Sequence, residues 1–181
     1  MLPTSHMIRT ERLILRPWQD SDLPLFAVQN ADPVTMRFLN GPLTREQSDA
    51  YAARAMAHLA EHGFGKWAVE APGVAPFIGA VGLQHIRFEA DFTPTVEAAW
   101  RLNRAWWGQG YATEAARAAI ADGFQRAGLV EIVAITAVEN HASRRVMERL
   151  GMRYAYDFDH PLVPPERPIR RHALYRLAAV T

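Results

Sequence analysis

The sequence contains no cysteine, which excludes disulfides, thiolate metal sites and a cysteine nucleophile together. It contains one lysine, Lys66, against nineteen arginines. A nucleotide P-loop needs a lysine followed by serine or threonine after its second glycine. Lys66, in Gly63-Phe64-Gly65-Lys66-Trp67, has the wrong spacing and no following hydroxyl. No stretch approaches the ~18 apolar residues of a membrane span, and the start, Met1 to Met7, lacks a basic segment leading into an apolar run. No membrane partner is therefore expected, and the cytoplasm is the expected location. Neither charge sign is in excess: the formal net charge is +1 and the arginines are spread along the chain, so no basic run tracks a nucleic acid. Tandem repeats and low-complexity linkers are also absent, and 181 residues suffice for one sizeable core, so one domain over residues 8–178 is expected.

The segments that are present alternate in period. Glu11 to Arg16 has leucines at alternating positions and reads as a strand. Asp20-Ser21-Asp22 offers caps for a helix through about Gln29, which Asn30-Ala31-Asp32-Pro33 ends. Thr44 and Gln47 form a capping box that opens a second helix, stopped by Gly63. Lys66–Glu70, Phe77–Leu83 and Val96–Leu102 are apolar runs separated by turn-forming stretches, which read as an antiparallel meander. Gly79 and Gly82 inside the middle run suggest a bulge or a close backbone approach. From Gly110 to about Ala127, Ala112, Ala116, Ile120 and Phe124 recur every four residues, and Gly128 supplies a stop. Glu131–Val138 reads as a central strand, Asn140 caps a further helix ending at Gly151, and two strands close the chain at Met152–Asp157 and His172–Leu177. The class is mixed α/β: a β-α-β-α half joined to an antiparallel front half. The loop between the last strands carries Pro161, Pro164, Pro165 and Pro168 with Arg167, Arg170 and Arg171 nearby. It reads as either a plain crossover or an acceptor-site lid.

The organising stretch is Trp106-Trp107-Gly108-Gln109-Gly110-Tyr111-Ala112-Thr113-Glu114-Ala115, a glycine-spaced turn running into an alanine-rich helix. Backbone N–H groups at a helix start have no internal partners, and the helix dipole adds partial positive charge, so such a junction holds a phosphate without lysine. It is not a dinucleotide fingerprint, because Thr113 stands where the third glycine belongs and Glu131 opens the next strand instead of closing it.

Trp107-Gly108-Gln109-Gly110-Tyr111-Ala112 resembles the acyl-CoA loop of the GNAT acetyltransferases, Arg/Gln-x-x-Gly-x-Gly/Ala, departing at the first position. With Glu97-Ala98-Ala99-Trp100-Arg101-Leu102 before it, the stretch resembles the ribosomal-protein alanine N-acetyltransferase (RimJ/RimL-like) branch, where tryptophan commonly fills that position. Val138-Glu139-Asn140-His141-Ala142-Ser143 resembles the second family signature. The resemblance implies the GNAT fold, a largely antiparallel central sheet flanked by helices. It also implies acetyl-CoA as acyl donor, bound by Leu102, Trp107, Gly108, Gln109, Gly110, Tyr111, Ala112, Thr113, Asn140 and Ser143, with no metal. The expected reaction is direct attack of an amine on the thioester in a ternary complex.

Strand alternation places Glu97 with Ala99 and Arg101 on one face, opposite Trp100 and Leu102. A carboxylate there is either a surface partner of Arg101 or, as the resemblance implies, the general base. Ser143 is the candidate acid toward the leaving thiolate, since Met147 stands where many relatives have tyrosine; Tyr154 and Tyr156 are fallback acids, and His85 and His141 are alternative bases. Met36, Phe38 and Leu39 lie on the segment between the first two helices, which the resemblance implies forms part of the acceptor wall. His58-Leu59-Ala60-Glu61-His62 spells a zinc-peptidase motif, but it needs a third ligand and mid-helix rigidity. His62 abuts the terminating glycine, where the dipole alone favours histidine, so a solvated helix end is expected. The resembled branch points to a protein N-terminal amine as acceptor, with small-molecule amines such as antibiotics and polyamines second. A non-catalytic acyl-CoA sensor and an NAD(P)-dependent oxidoreductase are the rivals, and a homodimer stays open.

Overall fold

The computed structural model describes residues 6–180. In chain order the elements are β1 (Ile8–Arg9), β2 (Ile14–Arg16), α1 (Asp22–Ala31), α2 (Arg45–His62), β3 (Lys66–Ala71), β4 (Ala75–His85), β5 (Val96–Leu102), α3 (Tyr111–Gln125), β6 (Glu131–Ala137), α4 (His141–Arg149), β7 (Arg153–Asp159) and β8 (Arg171–Ala178). The strands form one eight-stranded sheet in the order β1-β2-β3-β4-β5-β6-β8-β7. Every neighbouring pair is antiparallel except β5 and β6. The mixed α/β class and the meander β3-β4-β5 are as the sequence periodicity indicates. The first strand is not. In place of one strand over residues 11–16, a short hairpin pairs Ile8 with Leu15 and Arg9 with Ile14. Thr10 closes its turn, because its backbone N–H donates to the Leu13 carbonyl at 2.9 Å and its hydroxyl accepts from the Leu13 amide.

The two faces of the sheet differ. On one, α3 packs its small residues Ala115, Ala116 and Ala119 against Val69, Ile78, Val81 and Leu102. Side chains this small let the helix axis lie close to the sheet and exclude water from the contact. On the other face, Phe26 of α1 and Ala52 of α2 pack on Ala68, Phe77 and Ala80. The capping box of α2 forms as its residues predict: the Thr44 hydroxyl accepts from the Gln47 amide and Gln47 Oε1 from the Thr44 amide. At the start of α1 the expectation fails. Ser21 makes no side-chain cap, and Asp22 is drawn inward to a buried arginine.

That arginine is Arg16, 6% exposed. Its guanidinium makes a two-pronged contact with Asp22 at 2.8 and 2.9 Å, and it also donates to Glu70 at 2.9 Å and to the Pro76 carbonyl at 2.8 Å. One cation thereby joins β2, α1, β3 and β4. Gly79 and Gly82 resolve as close approaches. A Cβ on Gly82 would lie 1.9 Å from the Gly65 carbonyl oxygen, and one on Gly79 would lie 2.2 Å from that of Arg101.

Removing one partner of a buried pair leaves the other charge uncompensated. Asp22→Ala is expected to cost about 3–5 kcal/mol of unfolding free energy in denaturant titrations, whereas Asp20→Ala, on the exposed turn, stays within about 0.5 kcal/mol.

Candidate active site

The site begins where the sheet opens. Between β5 and β6 the described register has one pair, Glu97 with Val133, while β5 pairs with β4 along the whole length of β5. Beyond that pair β5 has a neighbour on one edge only. The β4 pairing and the bond from the Asn103 amide to the Ile78 carbonyl point the odd residues of β5 toward β4. Alternation then turns the main-chain groups of Trp100 and Leu102 to the open edge. One of these has a partner: Trp107 Nε1 donates to the Leu102 carbonyl at 2.9 Å. Leu102 therefore offers its N–H to a ligand but not its carbonyl. Trp107 itself, half exposed, braces the loop that follows.

That loop leads to the start of α3. Gly110, at φ +83°, holds the left-handed conformation that L side chains rarely adopt, and this turns the chain from loop to helix. The first backbone bond of α3 runs from the Glu114 amide to the Gly110 carbonyl at 3.0 Å. The amides of Tyr111, Ala112 and Thr113 thus have no helical acceptor, and among the described residues no side chain caps them. A phosphate fits this arrangement: three free donors at a positive dipole end, with open space around the Cβ position of Gly108. Gln109 turns its side chain back to the Ala105 carbonyl and its own carbonyl to Arg12.

Arg12 is the cationic component that sequence reasoning missed, because it was assigned only to a strand. Its guanidinium donates to the Gln109 carbonyl at 3.0 Å and to Glu114 at 2.7 Å, and it lies over the Tyr111 ring at 4.7 Å. Glu114 also accepts from the Thr10 hydroxyl at 2.6 Å and from the Arg12 amide at 2.9 Å. Burial alone would raise the Glu114 carboxyl. These hydrogen bonds and the Arg12 charge outweigh it and hold the group below its ordinary range. The β1–β2 hairpin is thereby fixed to the first turn of α3.

On the far bank, α4 begins with Asn140, whose Oδ1 accepts from the Ser143 amide at 3.3 Å while Nδ2 donates to Thr136 at 3.0 Å. The predicted N-cap is present. Ser143 is half-buried in the first turn, and Met147, one turn on, is buried in the core, so no tyrosine acid stands there. Tyr154 and Tyr156 lie on β7, at the sheet edge beyond β6 and β8, and donate to Asp157 and Asp91. His141 is exposed on α4.

Glu97 stands where β5 and β6 part, and its side chain projects to the α1/α2 face. It does not pair with Arg101, which donates to Asn30 at 2.8 Å and lies over Tyr51. Gln84 Nε2 donates to Glu97 Oε1. Burial pushes the Glu97 carboxyl above its ordinary value, although the Lys66 charge and the Gln84 hydrogen bond oppose the shift. Beside Gln84 is a cavity of about 100 Å³ lined by Tyr51, Arg54, His58, Lys66, Gln84 and Arg87, with Ala55. Lys66 is buried and donates to the Tyr51 hydroxyl, whose pKa burial alone would raise but the Lys66 and Arg101 charges lower. Of these cavity residues only His58 belongs to a motif named from the sequence, and no sequence pattern joins it to the others. Of the expected acceptor wall, Met36 is buried in the core, leaving Phe38 and the exposed Leu39. The Pro-rich loop reaches that connector, with Arg167 Nη2 donating to the Leu39 carbonyl at 3.4 Å.

Residues 12–153 match the acetyltransferase (GNAT) domain. The chain belongs to the GNAT acetyltransferase family. This acetyltransferase is 32% identical over 148 residues to the uncharacterized N-acetyltransferase YnaD of Bacillus subtilis, covering 81% of this chain and 82% of YnaD. It is 30% identical over 166 residues to the FsC-acetyl coenzyme A-N(2)-transacetylase of Aspergillus fumigatus, covering 86% and 67%. The fold matches the crystal structure of the acetyltransferase from Agrobacterium tumefaciens at a TM-score of 0.80 and 27% identity, covering 99% of this chain and 98% of that one. The eight strands and four helices are those of the GNAT fold, and acetyl-CoA is the acyl donor such enzymes use. No helix among the described residues is long and apolar enough to cross a membrane.

Two measurements check this account. Gly110→Ala forces a side chain into the left-handed region and brings its Cβ to 3.4 Å from Arg12. At about 1–2 kcal/mol of strain, a comparable loss of unfolding free energy is expected in denaturant titrations. Glu114→Gln should destabilise the fold by about 1–2 kcal/mol at neutral pH. Because the folded carboxyl titrates below its unfolded value, this contribution is present above the unfolded pKa and lost as pH falls through the folded one. Thermal melts of the variant and the parent should therefore converge in acid.

Proposed function

We propose that the enzyme transfers acetyl from acetyl-CoA to a primary amine by direct attack in a ternary complex, within one domain over residues 8–178. The observation carrying this reading is the position of Glu97 at the point where β5 and β6 separate, between the cradle side and the α2 cavity. In the proposed complex the pyrophosphate sits on the amides of Tyr111, Ala112 and Thr113, with Arg12 as the nearby cation. The pantetheine arm adds as a strand to the free groups of Trp100 and Leu102. Asn140 and Ser143 face the arm from α4. The amine approaches from the α1/α2 face, and Glu97, its pKa raised by burial, takes the ammonium proton directly or through water. Attack of the neutral nitrogen on the thioester carbon forms the C–N bond, and as the C–S bond breaks Ser143 gives its proton to the CoA thiolate and recovers one from the attacking nitrogen, directly or through water, leaving the amide and CoA thiol.

The acceptor is proposed to be a protein N-terminal amine, in keeping with the resemblance to the ribosomal-protein alanine N-acetyltransferase branch, and the cytoplasm is the proposed setting. Charge supports a singly charged acceptor over a polyamine. Arg54, Lys66 and Arg87 line the cavity, and a second ammonium there would meet like charge.

Glu97→Gln is expected to lower kcat/KM for the amine by about 10²–10⁴ with acetyl-CoA affinity unchanged. In the parent enzyme kcat/KM should fall as pH drops through the raised Glu97 pKa, so the acid limb lies above the ordinary carboxylate range and vanishes in the variant. Thiol release from acetyl-CoA should be faster with short peptides bearing a free N-terminus than with spermidine. Turnover that survives Glu97→Gln and Ser143→Ala together would remove both from the proton path.

A further inference from the structure

The sequence reading set aside His58-x-x-Glu61-His62 for want of a third ligand, and the fold supplies one. His85, at the end of β4, is brought against the last turn of α2, so that one nitrogen from each of His58, His62 and His85 lies within 4.8 Å of the others. His58 Nε2 is 3.1 Å from His85 Nδ1, close to the ~3.3 Å that neighbouring nitrogens keep on a tetrahedral ion with bonds of about 2.0–2.1 Å. His58 and His62 are one helical turn apart on one face.

We infer that these three histidines form a binding site for one divalent transition-metal ion of the Zn²⁺ class, at the rim of the acceptor-side cavity. Three features beyond the count of imidazoles support it. The buried His58 ring is oriented by the Phe64 carbonyl, 3.0 Å from Nδ1. A carbonyl there fixes the N–H on Nδ1 and leaves the Nε2 lone pair facing the other two rings, the arrangement by which backbone carbonyls hold metal-ligating histidines. That lone pair now accepts from the His85 amide at 3.2 Å and is the pair an ion would take. The ligands also come from two elements fixed independently, α2 by its capping box and left-handed Gly63, and β4 by pairing on both edges. Finally, the Glu61 carboxylate lies 3.7 Å from His62 Nε2 and offsets part of the added charge, against Arg87 on the cavity side.

Three imidazoles leave at least one coordination position for water. A bound ion would tie the end of α2 to the end of β4 and fix His58, which forms part of the cavity wall. The site stands on its own geometry and does not require the acetyltransferase reading.

The test is calorimetric titration of the purified full chain with Zn²⁺ alone, together with the visible spectrum of the Co²⁺ form. His62 and His85 are each half-buried, so their glutamine variants are expected to fold. One equivalent of Zn²⁺, an intense tetrahedral-type Co²⁺ spectrum, and a loss of at least about tenfold in affinity in both His62→Gln and His85→Gln are expected. His172→Gln, which breaks the second histidine pair at 4.8 Å between ring centroids to His160, should leave binding unchanged. Absence of saturable Zn²⁺ binding, binding that survives both variants, or binding abolished by His172→Gln would overturn the assignment. If a glutamine variant does not fold, ring ¹⁵N–¹H spectra of the parent chain titrated with Zn²⁺ decide the question. Shifts centred on His58, His62 and His85 support the site, and shifts centred on His160 and His172 refute it.

Discussion

The constraint on which the structure depends is the single register pair between β5 and β6. The other interior pairings are antiparallel ladders of several residues, interrupted only by register shifts at Val69/Ala71 and Tyr154/Tyr156. At Glu97–Val133 the parallel pairing stops after one step, and main-chain groups of β5 are left without a strand. Unpaired backbone groups in a sheet interior are costly unless water or a ligand meets them. The gap persists because both banks are held from outside: β5 by its full pairing with β4, β6 by its full pairing with β8. Trp100 packs against the clusters around α3 and around α4, so one side chain joins the two banks below the opening.

The two faces flanking that opening have been given different chemistry. The α3 face is dry and built of small residues, which brings the free amides at the helix start near the unpaired edge of β5. On the α1/α2 face, Lys66, Gln84, Glu97 and Arg101 share the pleat and are the charged and polar complement to Tyr51 of α2. Burial raises the Glu97 carboxyl while Lys66 restrains it, and this leaves a carboxyl whose proton affinity is set by two opposing effects. The ionic groups that hold the frame are separate. Arg16 with Asp22 and Glu70 locks α1 onto the sheet, and Arg12 with Glu114 locks the first hairpin to α3.

Arg12 and Glu114 also connect the fold to the cradle. A carboxylate in the first turn of a helix complements the dipole. Here it additionally places a guanidinium beside the free amides without capping them. The cradle therefore has a cation that no local motif contains, contributed by a hairpin from the start of the chain.

Local physics was readable from the sequence wherever it was complete within a few residues. The Thr44–Gln47 box, the glycine stop at Gly63, the Asn140 cap, the three-strand meander and the Gly108–Gly110 turn all depend on steric and hydrogen-bonding preferences of neighbouring residues, and all are found, whereas α3 ends at Gln125 with Arg126 as its cap, ahead of the expected stop at Gly128. The face carrying Glu97 followed from the two-residue period of a strand. What that period could not give was the partner across the strand, so Glu97 meets Gln84 and not Arg101, Asp22 in the first turn of α1 meets Arg16, and Met36 turns into the core. The cavity residues, Arg12 at the cradle and His85 beside His58 are products of registers and crossings between distant segments. Such pairings are decided by burying the whole set of apolar faces at once, and only the tertiary structure carries that information.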